Sequence, residues 1–206
     1  MSRKKSFTLD NDSFASNPGN VGVNVFVWAK HKPLIVGLLA FAVLFSLFRV
    51  YTYSRWCLLE TGAALVASTW YWTRVKEHFA FGCANPGIVV SIHPPLVAVS
   101  TDVTKGVGYY PVIKIIPHSG GDDARLGERV GTVALYGDAN EHHAYWSDFN
   151  PISIEYATSD ALVHKRVLDS YSDEDWAALN RGVKDLRKPY RPGLYRVERD
   201  SSDWPS

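Results

Sequence analysis

The stretch "PLIVGLLAFAVLFSLF", residues 33–48, decides how the rest of the chain is read, because it runs sixteen residues without a single charge. A bilayer-crossing helix needs about 20 mainly apolar residues, and Val50 to Tyr53 extend the run past an interfacial arginine, Arg49. A second run, "WCLLETGAALVASTWYWT" at 56–73, follows closely and carries one charge, Glu60. A helical pair in water needs a polar face on each helix, and neither run offers one. The reading is a two-span transmembrane hairpin over residues 33–78 with a tight connection around Val50 to Arg55. Glu60 lies near the start of the second run, where it is expected to anchor at the interface against Arg55 or Arg49.

Aromatic residues stand where the runs begin and end, as expected of rings at headgroup depth. Trp28 precedes the first run, Trp56 opens the second, and Trp70 and Trp72 close it with Arg74 just beyond. These five are the expected membrane-interface residues. Lysines and arginines flank the entry and exit more densely than the connection, which places both termini in the cytoplasm and the protein in the inner (cytoplasmic) membrane. The first 32 residues begin with a basic triplet and a polar, turn-rich stretch, not a signal-peptide core, and read as a flexible cytoplasmic lead. Cys57 and Cys83 are too far apart along a helix to pair, which suits a reducing compartment.

From Gly87 the hydrophobic period shortens from helical to extended. Five runs rich in Val, Ile, Tyr and Thr, at 88–92, 96–103, 110–116, 129–136 and 151–156, are separated by turn residues such as His93-Pro94-Pro95. Connections this short suit antiparallel neighbours and exclude βαβ units. Residues 85–157 therefore read as a soluble, five-stranded, barrel-like β domain. Residues 158–188 return to helical spacing. A short helix is expected over 161–168, and Ser172 to Asp175 is an N-terminal capping pattern ahead of a Trp176, Leu179, Val183, Leu186 stripe that caps the barrel. Residues 189–206 read as an extended tail. The fold class is α+β: membrane hairpin, antiparallel β domain, C-terminal helical cap.

Among the 206 residues the formal net charge is +1, but the distribution is uneven: +5 for residues 1–84, −4 for 85–157 and 0 for 158–206. An acidic β segment argues against nucleic acid, which needs clustered Lys and Arg. The expected partners are the lipid bilayer and an unidentified protein, with the oligomeric state left open.

Several segments together resemble a known family: "CANPGIVVSIHPPLVAVSTDV" at 83–103, "YYPVIKIIPH" at 109–118, "LGERVGTVALYGD" at 126–138, "YWSDFNPISI" at 145–154, "DEDWAALNRGV" at 173–183 and "KPYRPGLYRV" at 188–197. They are similar to the bacterial domain of unknown function 3239 family, over about residues 56–197. The resemblance implies a membrane hairpin ahead of a β-rich domain and supplies neither an activity nor catalytic residues.

One stretch invites a metal. "GDANEHHAYWSDF" at 137–149 holds Asp138, Glu141, His142, His143 and Asp148, of which Asp138, His142, His143 and Asp148 are the candidate ligands. Adjacent side chains rarely converge on one ion, and the order Glu-His-His is not the HExxH of zinc proteases. A solvated loop between strands is the simpler reading. Ser91 and His93 lack an orienting acid, and neither a phosphate-binding loop nor a CxxC pair is present, so no catalytic residue and no cofactor is expected. The function expected is a non-catalytic interaction or accessory module at the cytoplasmic membrane face. The alternative is a membrane-tethered metal-dependent hydrolase using the 138–148 loop.

Overall fold

A computed structural model describes residues 15–105, 108–118, 124–137 and 144–197. The chain enters through a short helix α1 (Val25–His31), capped by Asn24 accepting from the backbone of Phe26 and Val27. A break at Lys32 leads into α2 (Pro33–Thr52), where proline at the first turn removes an N–H that would have no partner. A single turn at Arg55–Cys57 connects to α3 (Leu58–Phe81), which packs along α2. Six strands follow or flank the rest: β1 (Cys83–Ile92), β2 (Pro95–Asp102), β3 (Pro111–Pro117), β4 (Arg129–Gly137), β5 (Asp148–Ser153) and, after helices α4 (Ala161–Asp169) and α5 (Asp173–Asp185), β6 (Gly193–Arg196).

The strands form one antiparallel sheet in the order β5-β4-β1-β2-β3-β6. Three strands separate β5 from β3 in that order, yet the Lys114 ammonium on β3 lies 2.8 Å from an Asp148 carboxylate oxygen on β5 and donates to the Phe149 carbonyl at 2.7 Å. The sheet is therefore curled into a half-barrel whose open side a side chain bridges. Arg196 on β6 adds a second strap, donating to the Tyr145 hydroxyl at 3.0 Å. One face of the sheet holds Val89, Val97, Val99, Val112, Val130 and Phe149. The opposite face carries Ala84, Ala98, Ile113, Ile115 and Val133, covered by Phe79 of α3, Val167 of α4, and Trp176 and Leu179 of α5.

Five strands were expected and six are found among the described residues. The sixth, β6, lies in the stretch read as tail, because four residues ending a Pro-Gly turn show too little alternation to announce a strand. The cap behaves as expected: Ser172 and Asp175 form the reciprocal capping box, and Trp176 and Leu179 are buried. The lead differs from expectation. Residues 17–31 lie on the domain, with Val21 N–H donating to Phe79 O at 3.0 Å and Asn24 N–H to Ala157 O at 2.7 Å.

The two-span hairpin also needs correction. Among the described residues one helix, Pro33–Thr52, is long and apolar enough to cross a membrane. The second apolar run is the first part of a longer helix, diluted by Glu60, Thr61, Ser68, Thr69 and Thr73, whose last turns bury Val75, Glu77, His78 and Phe79 in the domain.

Candidate functional site

The outer parts of α2 and α3 are the least protein-like surface of the chain. Leu34, Leu38, Phe41, Leu44 and Phe48 on α2, and Leu59, Val66 and Trp70 on α3, are all exposed, Leu44 at 67 % and Val66 at 70 %. At the connection Arg49 donates to both carboxylate oxygens of Glu60, at 2.8 and 2.7 Å, the contact expected from the sequence. Of the expected interface residues, Trp56 and Trp70 are exposed, at 82 % and 63 %, while Trp72 and Arg74 are half-buried. Trp28 is 4 % exposed: its indole packs edge-on against Phe79 and donates to the Tyr71 hydroxyl at 2.8 Å. Its amphipathic ring serves the junction between helices and domain.

That junction is tightly built. The His78 ring nitrogen Nε2 is 2.7 Å from the Val133 carbonyl of β4, and burial holds the imidazole below its ordinary pKa. At Gly82 any side chain would collide with the His78 carbonyl and Val133, so the turn from α3 into β1 admits only glycine. Arg74 and buried Glu77 pair at 3.0 Å one turn away. A cavity of about 780 Å³ opens beside them, between Trp28, Tyr71, Arg74 and His78 on the helices and Lys105 and Trp146 on the sheet side. At the entry to α2, His31 stacks on Tyr156 with ring centroids 4.5 Å apart, and desolvation followed by the neighbouring Lys30 charge lowers its pKa.

A second, larger cleft of about 1190 Å³ lies within the sheet itself. The β1–β2 register ends at Gly87 and Val99, whereas β1 continues on β4 to Cys83 and β2 continues on β3 to Asp102. The two strands therefore diverge. Backbone direction explains why. Val89 exchanges both its backbone bonds with the β4 side, at Gly127 and Glu128, so Ile88, Pro86 and Ala84 face β2. Pro86 has no N–H to donate at the position where that ladder would continue. On the other wall Val103 N–H bonds Tyr110 O on the β3 side, so Ser100 and Asp102 turn their backbone groups into the opening. Asn17 and Pro18 sit at its mouth, with Ala84 N–H donating to Asn17 O at 2.7 Å.

Inside the cleft the Tyr136 hydroxyl meets Thr101 Oγ1 at 2.5 Å and Asn85 Oδ1 at 3.4 Å, linking the diverging strands by side chains. Tyr171 donates to the Asn85 carbonyl at 2.9 Å. Burial raises the pKa of both phenols, so both remain protonated donors at neutral pH. Cys83 is free and buried nearby. The rim is formed by Asp102 with Glu174, Asp175, Arg181, Lys184 and Asp185 of the last helix.

Of the four metal candidates, Asp138, His142 and His143 lie outside the described residues. Asp148 is described, and both its oxygens accept from the Lys114 ammonium. Among the described residues no three His, Cys, Asp or Glu side chains gather as metal ligands would. Sequence reasoning missed Lys114, although a lone lysine inside "PVIKIIP" was the available signal: a charge within a buried strand must find a partner.

A curled antiparallel half-barrel joined through a continuous helix to a long, exposed apolar one defines the class: a β-domain protein with one helix, among the described residues, long and apolar enough to cross a membrane. A family model for proteins of unknown function, DUF3239, matches residues 72–187, and the chain belongs to that family. None of the curated proteins compared with the chain matches it. Among solved structures, the crystal structure of a candidate membrane protein from Corynebacterium diphtheriae is similar at 19 % identity and a TM-score of 0.45, covering 55 % of this chain and 99 % of that one.

Proposed function

We propose that the chain is a membrane-anchored, non-catalytic interaction module, held at the cytoplasmic face of the bilayer by α2. The observation that carries this reading is the surface of α2: a 20-residue helix, about 30 Å long, whose large apolar side chains face outward. Monomeric soluble proteins rarely expose so continuous an apolar patch. Packing at its base ties α2 to the β domain. Val21 and Trp28, ahead of α2, are buried against Phe79 and its neighbours, which follow the apolar part of α3. Both ends of the helical pair thus meet at the β domain. The Arg49–Glu60 pair lies at the opposite end of the helical pair, where water reaches it.

The test is fractionation of cells expressing the full chain. We expect recovery in the membrane pellet after carbonate washing, release by detergent, and cytoplasmic labelling of single cysteines placed at residue 16 or 195 in a background with Cys57 and Cys83 replaced by serine. Recovery in the high-speed supernatant without detergent would overturn the reading.

A further inference from the structure

We propose that the opening between β1 and β2 is a docking slot for an extended, basic segment of a partner protein, which adds as a strand along the β2 edge. The inference deepens the interaction-module reading and rests on it. Three observations carry it. The backbone groups of Ser100 and Asp102 face the opening beyond the last β1–β2 pair, and Pro86 withholds the N–H that the next pair would use. The slot already accepts extended backbone: Pro18 pairs antiparallel with Cys83, and Asn17 takes the Ala84 N–H at its mouth. Its rim carries four carboxylates, Asp102, Glu174, Asp175 and Asp185, against two cations, Arg181 and Lys184. Strand addition at a free edge takes its affinity from main-chain hydrogen bonds and its selectivity from side-chain pockets and charge. The alternation of side chains along an added strand would set one row over Tyr136 and Thr101 and the other towards α5.

The experiment uses the full chain in detergent micelles, isotopically labelled, and a seven-residue synthetic peptide alternating lysine with valine and threonine. Two control peptides carry glutamate for lysine, or methyl groups on alternate backbone nitrogens. We expect saturable shifts of the Ala84, Ser100 and Asp102 amides with a dissociation constant below about 1 mM. Binding should weaken at least about tenfold for either control, since the first opposes the rim charge and the second removes the main-chain donors. Ser100→Pro should abolish binding while leaving the β2–β3 ladder, because the N–H groups used there belong to Val99 and Thr101. A Glu174→Lys, Asp185→Lys variant should invert the preference towards the glutamate peptide.

Absence of shifts at those amides, equal binding of the methylated peptide, or retained binding by Ser100→Pro overturns the proposal. So do shifts that appear only after deletion of residues 1–14, which assign the slot to the chain's own lead, and shifts that follow protein concentration without peptide, which assign it to a second copy. Flotation of the same preparation with liposomes reports the anchor separately, so loss of the slot and loss of the membrane reading are told apart.

Discussion

Two lysines in the middle of α2 give the sharpest test of where this helix lives. Phe41 and Leu44 lie near its centre and are 63 % and 67 % exposed, so their replacement disturbs no packed core. Wild-type α2 contains twelve Leu, Ile, Val and Phe residues. At about 0.3–0.6 kcal/mol each near the bilayer centre, they favour insertion by about 4–7 kcal/mol at most, since residues near the ends contribute less. Each lysine adds about 2.5–3.5 kcal/mol and removes the apolar term, so Phe41→Lys with Leu44→Lys costs about 6–8 kcal/mol. That cancels the whole preference. The double variant should leave the carbonate-resistant pellet, and single variants should be partly retained because lysine snorkels. The opposite outcome is as informative. If α2 were an exposed helix in water, the same lysines would improve solubility and raise the thermal midpoint, with no change of fraction. A double variant as firmly pelleted as wild type, with an unchanged lipid-protected fragment after proteolysis, refutes the reasoning.

Other perturbations report on the domain. Phe79→Ala empties a fully buried site between α3, Trp28 and His78 and should lower stability by about 3–5 kcal/mol in denaturant unfolding. Lys114→Met removes the strap across the half-barrel; with Asp148 half in solvent the loss should be about 1–2 kcal/mol, read as a lower midpoint with amide exchange rising first in β5. His78 should contribute to the acid limb of stability, together with His31, whose pKa is lowered as well. Each folded pKa lies below the 6.5 of the free imidazole, so the unfolded chain binds the extra protons and stability falls as pH drops below about 6.5; His78→Gln should flatten that limb in part in pH-dependent denaturation. Ser172→Ala, which breaks both halves of the capping box on α5, should cost about 1 kcal/mol.

What could be read from the sequence followed the strength of each periodic signal. The 16 apolar residues at 33–48, the strands from Gly87 and the Trp176–Leu179 stripe each repeat over several turns or pairs, and each forms a helix or strand near the expected place, although β1 starts earlier, at Cys83, and Ile154–Tyr156 of the expected fifth strand is a single 3-10 turn. The failures involve short or non-local features. Four residues suffice for β6 because β3 supplies a ready edge, and nothing in "GLYR" itself says so. Helix α1 is held by an Asn24 cap and by Trp28 against Phe79, about fifty residues away, a contact no local pattern encodes. Position alone points Trp28 to the headgroup region, but a tryptophan beside an apolar run serves a protein junction equally well when a tyrosine hydroxyl such as Tyr71 can take its N–H. The cleft was invisible for a related reason. Pro86 inside "CANPGIVV" marks a strand with one unusable donor, yet which side that donor would have faced depends on pairing parity set by Gly127 and Glu128.

The same parity argument shows why the molecule is closed on one side and open on another. A half-barrel has two places where backbone groups lack a strand: the outer edges, and any internal parting. Between its two ends this chain uses side chains, Lys114 of β3 to Asp148 and Arg196 of the edge strand β6 to Tyr145, so that β3 and β6 are held towards β5 and its approach without a ladder. At the internal parting Tyr136, Thr101 and Asn85 link the strands at side-chain distance, and Pro86 lacks the N–H that would donate to β2 at the next pair. Local rules are broken at sites that serve something other than the fold. The break here lies on the sheet face flanked by α5, on a domain whose orientation α3 fixes through His78 and Phe79, and a strand added in that opening would be presented at a set angle to the helix pair.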